Sequence, residues 1–146
     1  MATETATKPS LTIKRRFNAP PAQVFSAWTD PQKIMQWFGP GQVRCTNAAF
    51  ELRVGGRYVI SAQTPDGDKH QVEGVVREIV PDRKLVYTWY WHTMPERESL
   101  VTVELKPDGT GTLLTLTHAQ FSDEDARDRH QHGWNGALDK MEKFLG

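Results

Sequence analysis

Sulfur chemistry is almost absent from this chain: a single cysteine, Cys45, stands among 146 residues. One thiol forms no internal disulfide, and no Cys-x-x-Cys or Cys/His spacing surrounds it to suggest a metal site. Cys45 reads as an inert thiol in the interior, and its solitude suits a reducing, cytoplasmic setting. Net charge is missing too, because 18 Lys and Arg balance 18 Asp and Glu. Such a chain lacks the electrostatic footprint of a nucleic-acid binder. Lys14-Arg15-Arg16, its only basic run, reads as a solvated strand edge. No stretch is apolar for the length of a membrane span. Residues 1–10 are small and polar, without the basic start and apolar middle of a secretory signal, and read as a short disordered leader. Glycine spacings for phosphate or dinucleotide loops, a nucleophile elbow and an H-E-x-x-H pair are all missing. No cofactor and no metal are therefore expected.

What the chain has is rings. Residues 85–91 read Leu-Val-Tyr-Thr-Trp-Tyr-Trp. In an extended strand alternate side chains share a face. Leu85, Tyr87, Trp89 and Trp91 then project from one side, and Val86, Thr88 and Tyr90 from the other. An apolar face of that size must be covered. Packed core and a ligand-accepting cavity are the two ways to cover it, and they imply different functions.

Turn residues divide the rest. Leu11–Phe17 starts as an alternating strand and is stopped by Asn18-Ala19-Pro20-Pro21. Val24, Phe25 and Trp28 follow at helical spacing. Asp30-Pro31 reads as a cap with a first-turn proline, and Ile34, Trp37 and Phe38 make a second apolar stripe. Two short helices are expected over residues 20–38, ended by Gly39-Pro40-Gly41. Beyond them, Gly55-Gly56, Pro65-Asp66-Gly67-Asp68, Pro81-Asp82-Arg83, Met94-Pro95-Glu96 and Pro107-Asp108-Gly109 separate strands over 43–53, 57–64, 70–80, 85–91, 99–105 and 112–118. Intervals this short favour antiparallel hairpins.

The last segment changes period. Ser122 before Asp123-Glu124-Asp125 fits an N-cap with carboxylates in the first turn. Trp134, Leu138, Met141 and Leu145 then fall on one helical face. From Asp123 the helix would run about 34 Å. The expected fold is α+β: a curved seven-strand antiparallel sheet wrapped around this helix, with the two short helices between strands 1 and 2, all in one domain over residues 11–146. A helix about 10–12 Å across does not cover a sheet roughly 30 Å wide. Space left between them is either aromatic packing or a pocket. Gly133 and Gly136 flank Trp134 at a cost of about 1 kcal/mol each relative to alanine. They imply a close helix–sheet approach, or room beside the tryptophan.

Several segments together resemble a known family. They are Phe50-Glu51-Leu52-Arg53-Val54-Gly55-Gly56-Arg57, Pro65-Asp66-Gly67, Glu78-Ile79-Val80-Pro81, Leu85-Val86-Tyr87-Thr88-Trp89, Thr117-His118 with Phe121, and His130-x-x-Gly133-Trp134. In this order they are similar to the domain at the C-terminus of the activator of Hsp90 ATPase, of the START-like (SRPBCC) helix-grip superfamily. The resemblance runs from about Leu11 to the end. It implies the helix-grip fold and a range of functions from lipid binding and cyclisation to toxin sequestration and cochaperone work.

Three readings follow. The first is a binding protein for a small apolar or aromatic molecule held under the C-terminal helix. Its candidate lining is Trp37, Phe38, Tyr58, Tyr87, Trp89, Trp91 and Trp134 with Leu138 and Met141, and His118 and His130 serve as polar anchors. The second is a chaperone-docking module of the Hsp90-cochaperone type. The third is a cyclase- or hydrolase-type enzyme using His118, His130 or a buried carboxylate as acid or base. His130 and His132 diverge on a helix and do not chelate one metal together. Glu73, Glu78 and Glu104 are expected on the wet face of the sheet. A monomer or homodimer suits all three readings.

Overall fold

The computed structural model describes residues 8–145. Over residues 1–7 the expected leader lies outside the described residues, while Pro9 gives its carbonyl to the Phe121 N–H at 3.1 Å. The elements run β1 (Leu11–Phe17), α1 (Pro21–Thr29), α2 (Pro31–Trp37), β2 (Arg44–Phe50), β3 (Arg57–Gln63), β4 (Lys69–Val80), β5 (Lys84–Trp91), β6 (Ser99–Asp108), β7 (Gly111–Ala119) and α3 (Glu124–Leu145). The seven strands form one antiparallel sheet in the order β1-β7-β6-β5-β4-β3-β2. It curls as a half-barrel around α3, with α1 and α2 between β1 and β2. The fold is α+β, as the residue pattern implies. No helix among the described residues is long and apolar enough to cross a membrane.

Local chemistry explains the boundaries. The Asp30 carboxylate accepts the Gln32 N–H at 3.0 Å, and Pro31 opens α2. At the start of α3 the cap is Asp123, whose Oδ1 accepts the Ala126 N–H at 2.8 Å, one residue later than the expected Ser122. Strand β2 ends at Phe50 instead of residue 53, because Glu51 turns back to bond Arg57 and Gly55 takes a φ of +83°.

The middle of the sheet is bent. At Gly74 a Cβ would lie 2.0 Å from the Thr88 carbonyl oxygen, so only glycine lets β4 and β5 approach there. Side chains take over the ladder at that point. Thr88 Oγ1 accepts the Val75 N–H at 2.8 Å, and the Tyr58 hydroxyl donates to the Thr88 carbonyl. Three residues on, Arg77 is the extra residue of a β-bulge, with Val76 opposite Tyr87 and Glu78 opposite Val86. Thr88 and Val86 are buried along with Tyr87 and Trp89, so the centre of β5 is covered on both faces.

Leu138 and Met141 are fully buried and share one core with Ile13, Phe17, Leu114 and Leu116. Arg15 reaches over this seam from β1, with Nη1 2.7 Å from Asp139 and 3.6 Å from Glu142 of α3. The expected solvated basic edge is thus partly a clasp. Gly136 is explained by a loop. A Cβ there would lie 2.6 Å from Pro40 Cβ, so α3 closes on the segment after α2. Cys45 is half-buried instead of interior, and burial raises its thiol.

Candidate functional site

The first half of α3 meets the sheet through His130 and Trp134. Beneath it lies a cleft of about 600 Å³. Ala126, His130, Gly133, Trp134 and Ala137 form its roof; Ala62, Trp89 and Trp91 its floor; Phe38 and Pro40 one end; Met94, Arg97 and Phe121 the other side. Among the expected site residues, Phe38, Trp89, Trp91, His130 and Trp134 line this space. Trp37, Tyr58, Tyr87, His118, Leu138 and Met141 are buried elsewhere in the core and do not border it. Strand geometry explains the division. Tyr87 and Trp91 share a face but stand about 13 Å apart along β5. Tyr87 therefore joins Tyr58, at 5.1 Å between ring centroids, and Phe50, while Trp91 joins His130.

Two histidines organise the tryptophans. His130 Nδ1 donates to the Ala126 carbonyl at 2.7 Å, which leaves Nε2 as an acceptor. Two indoles use it: Trp91 Nε1 at 3.0 Å and Trp89 Nε1 at 3.3 Å. His118 Nδ1 accepts from Trp134 Nε1 at 3.0 Å, so its proton is on Nε2. That N–H donates to Ser99 Oγ at 2.7 Å, and Ser99 donates in turn to the Trp89 carbonyl at 3.1 Å. Both imidazoles are neutral acceptors. Burial lowers the pKa of each, well below the usual value for His118, where His130 adds to the effect.

The other two indoles are also satisfied. Trp28 donates to the Tyr87 hydroxyl at 3.0 Å, and Trp37 to the Ala27 carbonyl at 2.8 Å. Burial raises both Tyr58 and Tyr87, which keeps their hydroxyls protonated. No indole N–H is left to meet a ligand, and the cleft wall presents ring faces. Charge sits at the rim, where Lys69, Arg97 and Arg129 border the space with His70 and His92. Among the described residues no group of three or more His, Cys, Asp or Glu is placed to hold a metal ion.

The sequence reading did not single out Arg97, Arg129, Met94 or Ala126. Met94 was legible only as part of a turn. Phe121 entered only through the family motif, and no periodicity pointed to it.

Comparison with known proteins agrees with the shape. Protein CV1439 from Chromobacterium violaceum superimposes with a TM-score of 0.86 at 24% identity, covering 93% of this chain and 96% of that chain. The AHSA1 protein SPO3351 from Silicibacter pomeroyi gives 0.84 at 26% identity, over 94% and 97%. CalU16 from Micromonospora echinospora gives 0.72 at 31% identity, over 94% and 76%. No curated protein matches. A family model described as Activator of Hsp90 ATPase homolog 1-like protein matches residues 18–146, which is the whole fold after β1. The chain belongs to that family.

Proposed function

We propose that the protein binds a small apolar or aromatic molecule in the cleft under the first half of α3. One observation carries this: the rings of Phe38, Trp89, Trp91 and Trp134 border about 600 Å³ of space and spend no indole N–H on it. That volume lies within the range of roughly 300–1,000 Å³ typical of small-molecule sites. The family fold commonly binds hydrophobic ligands. An acid–base role for His118 or His130 has no comparable support, because both ring nitrogens of each are already engaged.

Gly133 provides the test. It lines the cleft, and a Cβ there would have only Pro40 Cγ within 4 Å, at 3.9 Å. Gly133→Leu would fill the space and favour the helix by about 0.8 kcal/mol. N-phenylnaphthylamine is titrated while tryptophan emission is followed. Saturable quenching is expected in the natural chain, weakened tenfold or more in Gly133→Leu with no loss of melting temperature. Trp89→Ala is expected to weaken binding more than Lys14→Ala. Absence of saturation in the natural chain would overturn the proposal, and so would equal affinity in Gly133→Leu.

A further inference from the structure

We infer that the occupant of the cleft is an apolar acid: a ring or chain body with one carboxylate that stays at the rim. The inference rests on the binding function proposed above and narrows it. Around the rings of the cleft the polar side-chain groups are already spent. Its indole N–H groups are spent on His130 and His118, and Ser99 Oγ is held between His118 and the Trp89 carbonyl. A polar end is stable only where the cleft opens.

The opening has one sign. Lys69, Arg97 and Arg129 border it, and no aspartate or glutamate does. In a chain whose charges sum to zero, this is a local excess. The carboxylates paired with these groups stand outside the lining. Asp123 Oδ2 is 4.0 Å from Arg97 Nη1, and Asp125 Oδ2 is 3.2 Å from Arg129 Nε. Both pairs are solvent-exposed, so each holds its guanidinium weakly and leaves N–H donors available. A guanidinium offers a carboxylate two parallel donors, and a cleft lined by one sign concentrates ligands of the other.

The test uses one ring system in three charge states. Naphthylacetate, naphthylacetamide and naphthylethylammonium each compete with N-phenylnaphthylamine. The acid is expected to bind at least tenfold more tightly than the amide, and the amide more tightly than the ammonium. The acid's advantage should shrink as salt is raised. In the Lys69→Glu, Arg97→Glu double variant, with folding checked by circular dichroism, the acid-to-amide ratio is expected to fall to one or below. Lys14→Glu on β1 should leave that ratio unchanged. Equal affinity of the three compounds, with N-phenylnaphthylamine still binding, overturns the acid preference and leaves the apolar-ligand function standing. A preference that survives the double variant overturns it as well. Failure of every compound, N-phenylnaphthylamine included, overturns both.

Discussion

At His118 a one-way chain of hydrogen bonds, from Trp134 through the imidazole and Ser99 to the Trp89 carbonyl, requires a neutral ring. A proton on Nδ1 would leave Trp134 without its acceptor and a charge in the core. Burial therefore holds the pKa of His118 well below the usual 6.5 and lowers that of His130. The unfolded chain protonates both near that ordinary value, while the folded chain does not. Below about pH 6.5 the unfolded state binds more protons, so stability is full above that pH. It is lost on acidification by up to about 1.4 kcal/mol per pH unit for each histidine, until the folded pKa is reached. The lowered carboxylates Glu51 and Glu73 act in a separate window, below about pH 4.5. Urea midpoints measured from about pH 7 to about pH 5 are expected to fall with this slope. His118→Phe should lose about 1–3 kcal/mol at neutral pH and show a shallower slope. An unchanged slope in that variant would remove His118 from the account. The sequence placed His118 on the inner face through Leu114 and Leu116. The tautomer it adopts was beyond reach, because that is set by Trp134 and Ser99, which no local pattern connects.

Among the elements, α3 shows how two similar glycines differ. Gly136 is pressed against Pro40, with Cβ-to-Cβ and Cβ-to-Cα distances of 2.6 and 3.1 Å for an added methyl; Gly133 has only one neighbour, at 3.9 Å. Gly136→Ala is expected to lower stability by about 1 kcal/mol or more, since overpacking costs of 1–3 kcal/mol exceed the helical gain. Gly133→Ala should raise it by up to about 1 kcal/mol. Thermal melts would read the two shifts with opposite signs, and a shared sign would contradict the contact with Pro40. Elements were legible where turn chemistry marks their ends, as at Asp30-Pro31 and Pro81-Asp82-Arg83, but β6 runs on to Asp108, through the Pro107 and Asp108 expected in a turn, because both still pair with β7. What stayed hidden is non-local. Gly74 reads as an ordinary strand residue until Thr88 is placed against it, and Arg15 reads as solvated until α3 arrives with Asp139.

For the whole molecule, the mismatch between one helix and a broad sheet was readable from widths alone. Where the excess space falls was not. Rings from α1, α2, β5 and α3 fill the middle, and the opening is left to one side. Because these rings interlock, helix content and tryptophan emission are expected to be lost in a single transition with coincident midpoints in urea, as for a two-state domain. Separated midpoints would show that α3 leaves the sheet before the sheet unfolds. The same interlocking has an optical effect. Trp37 and Trp28 stand 4.9 Å apart between centroids, Trp28 and Trp134 5.7 Å, and Trp134 and Trp89 5.1 Å. Electronic excitation hops between indoles at such spacing before it is emitted. Light absorbed by Trp37, deep in the core, can reach Trp89 in such hops, so a quencher seated at that one ring would dim the others of the row as well.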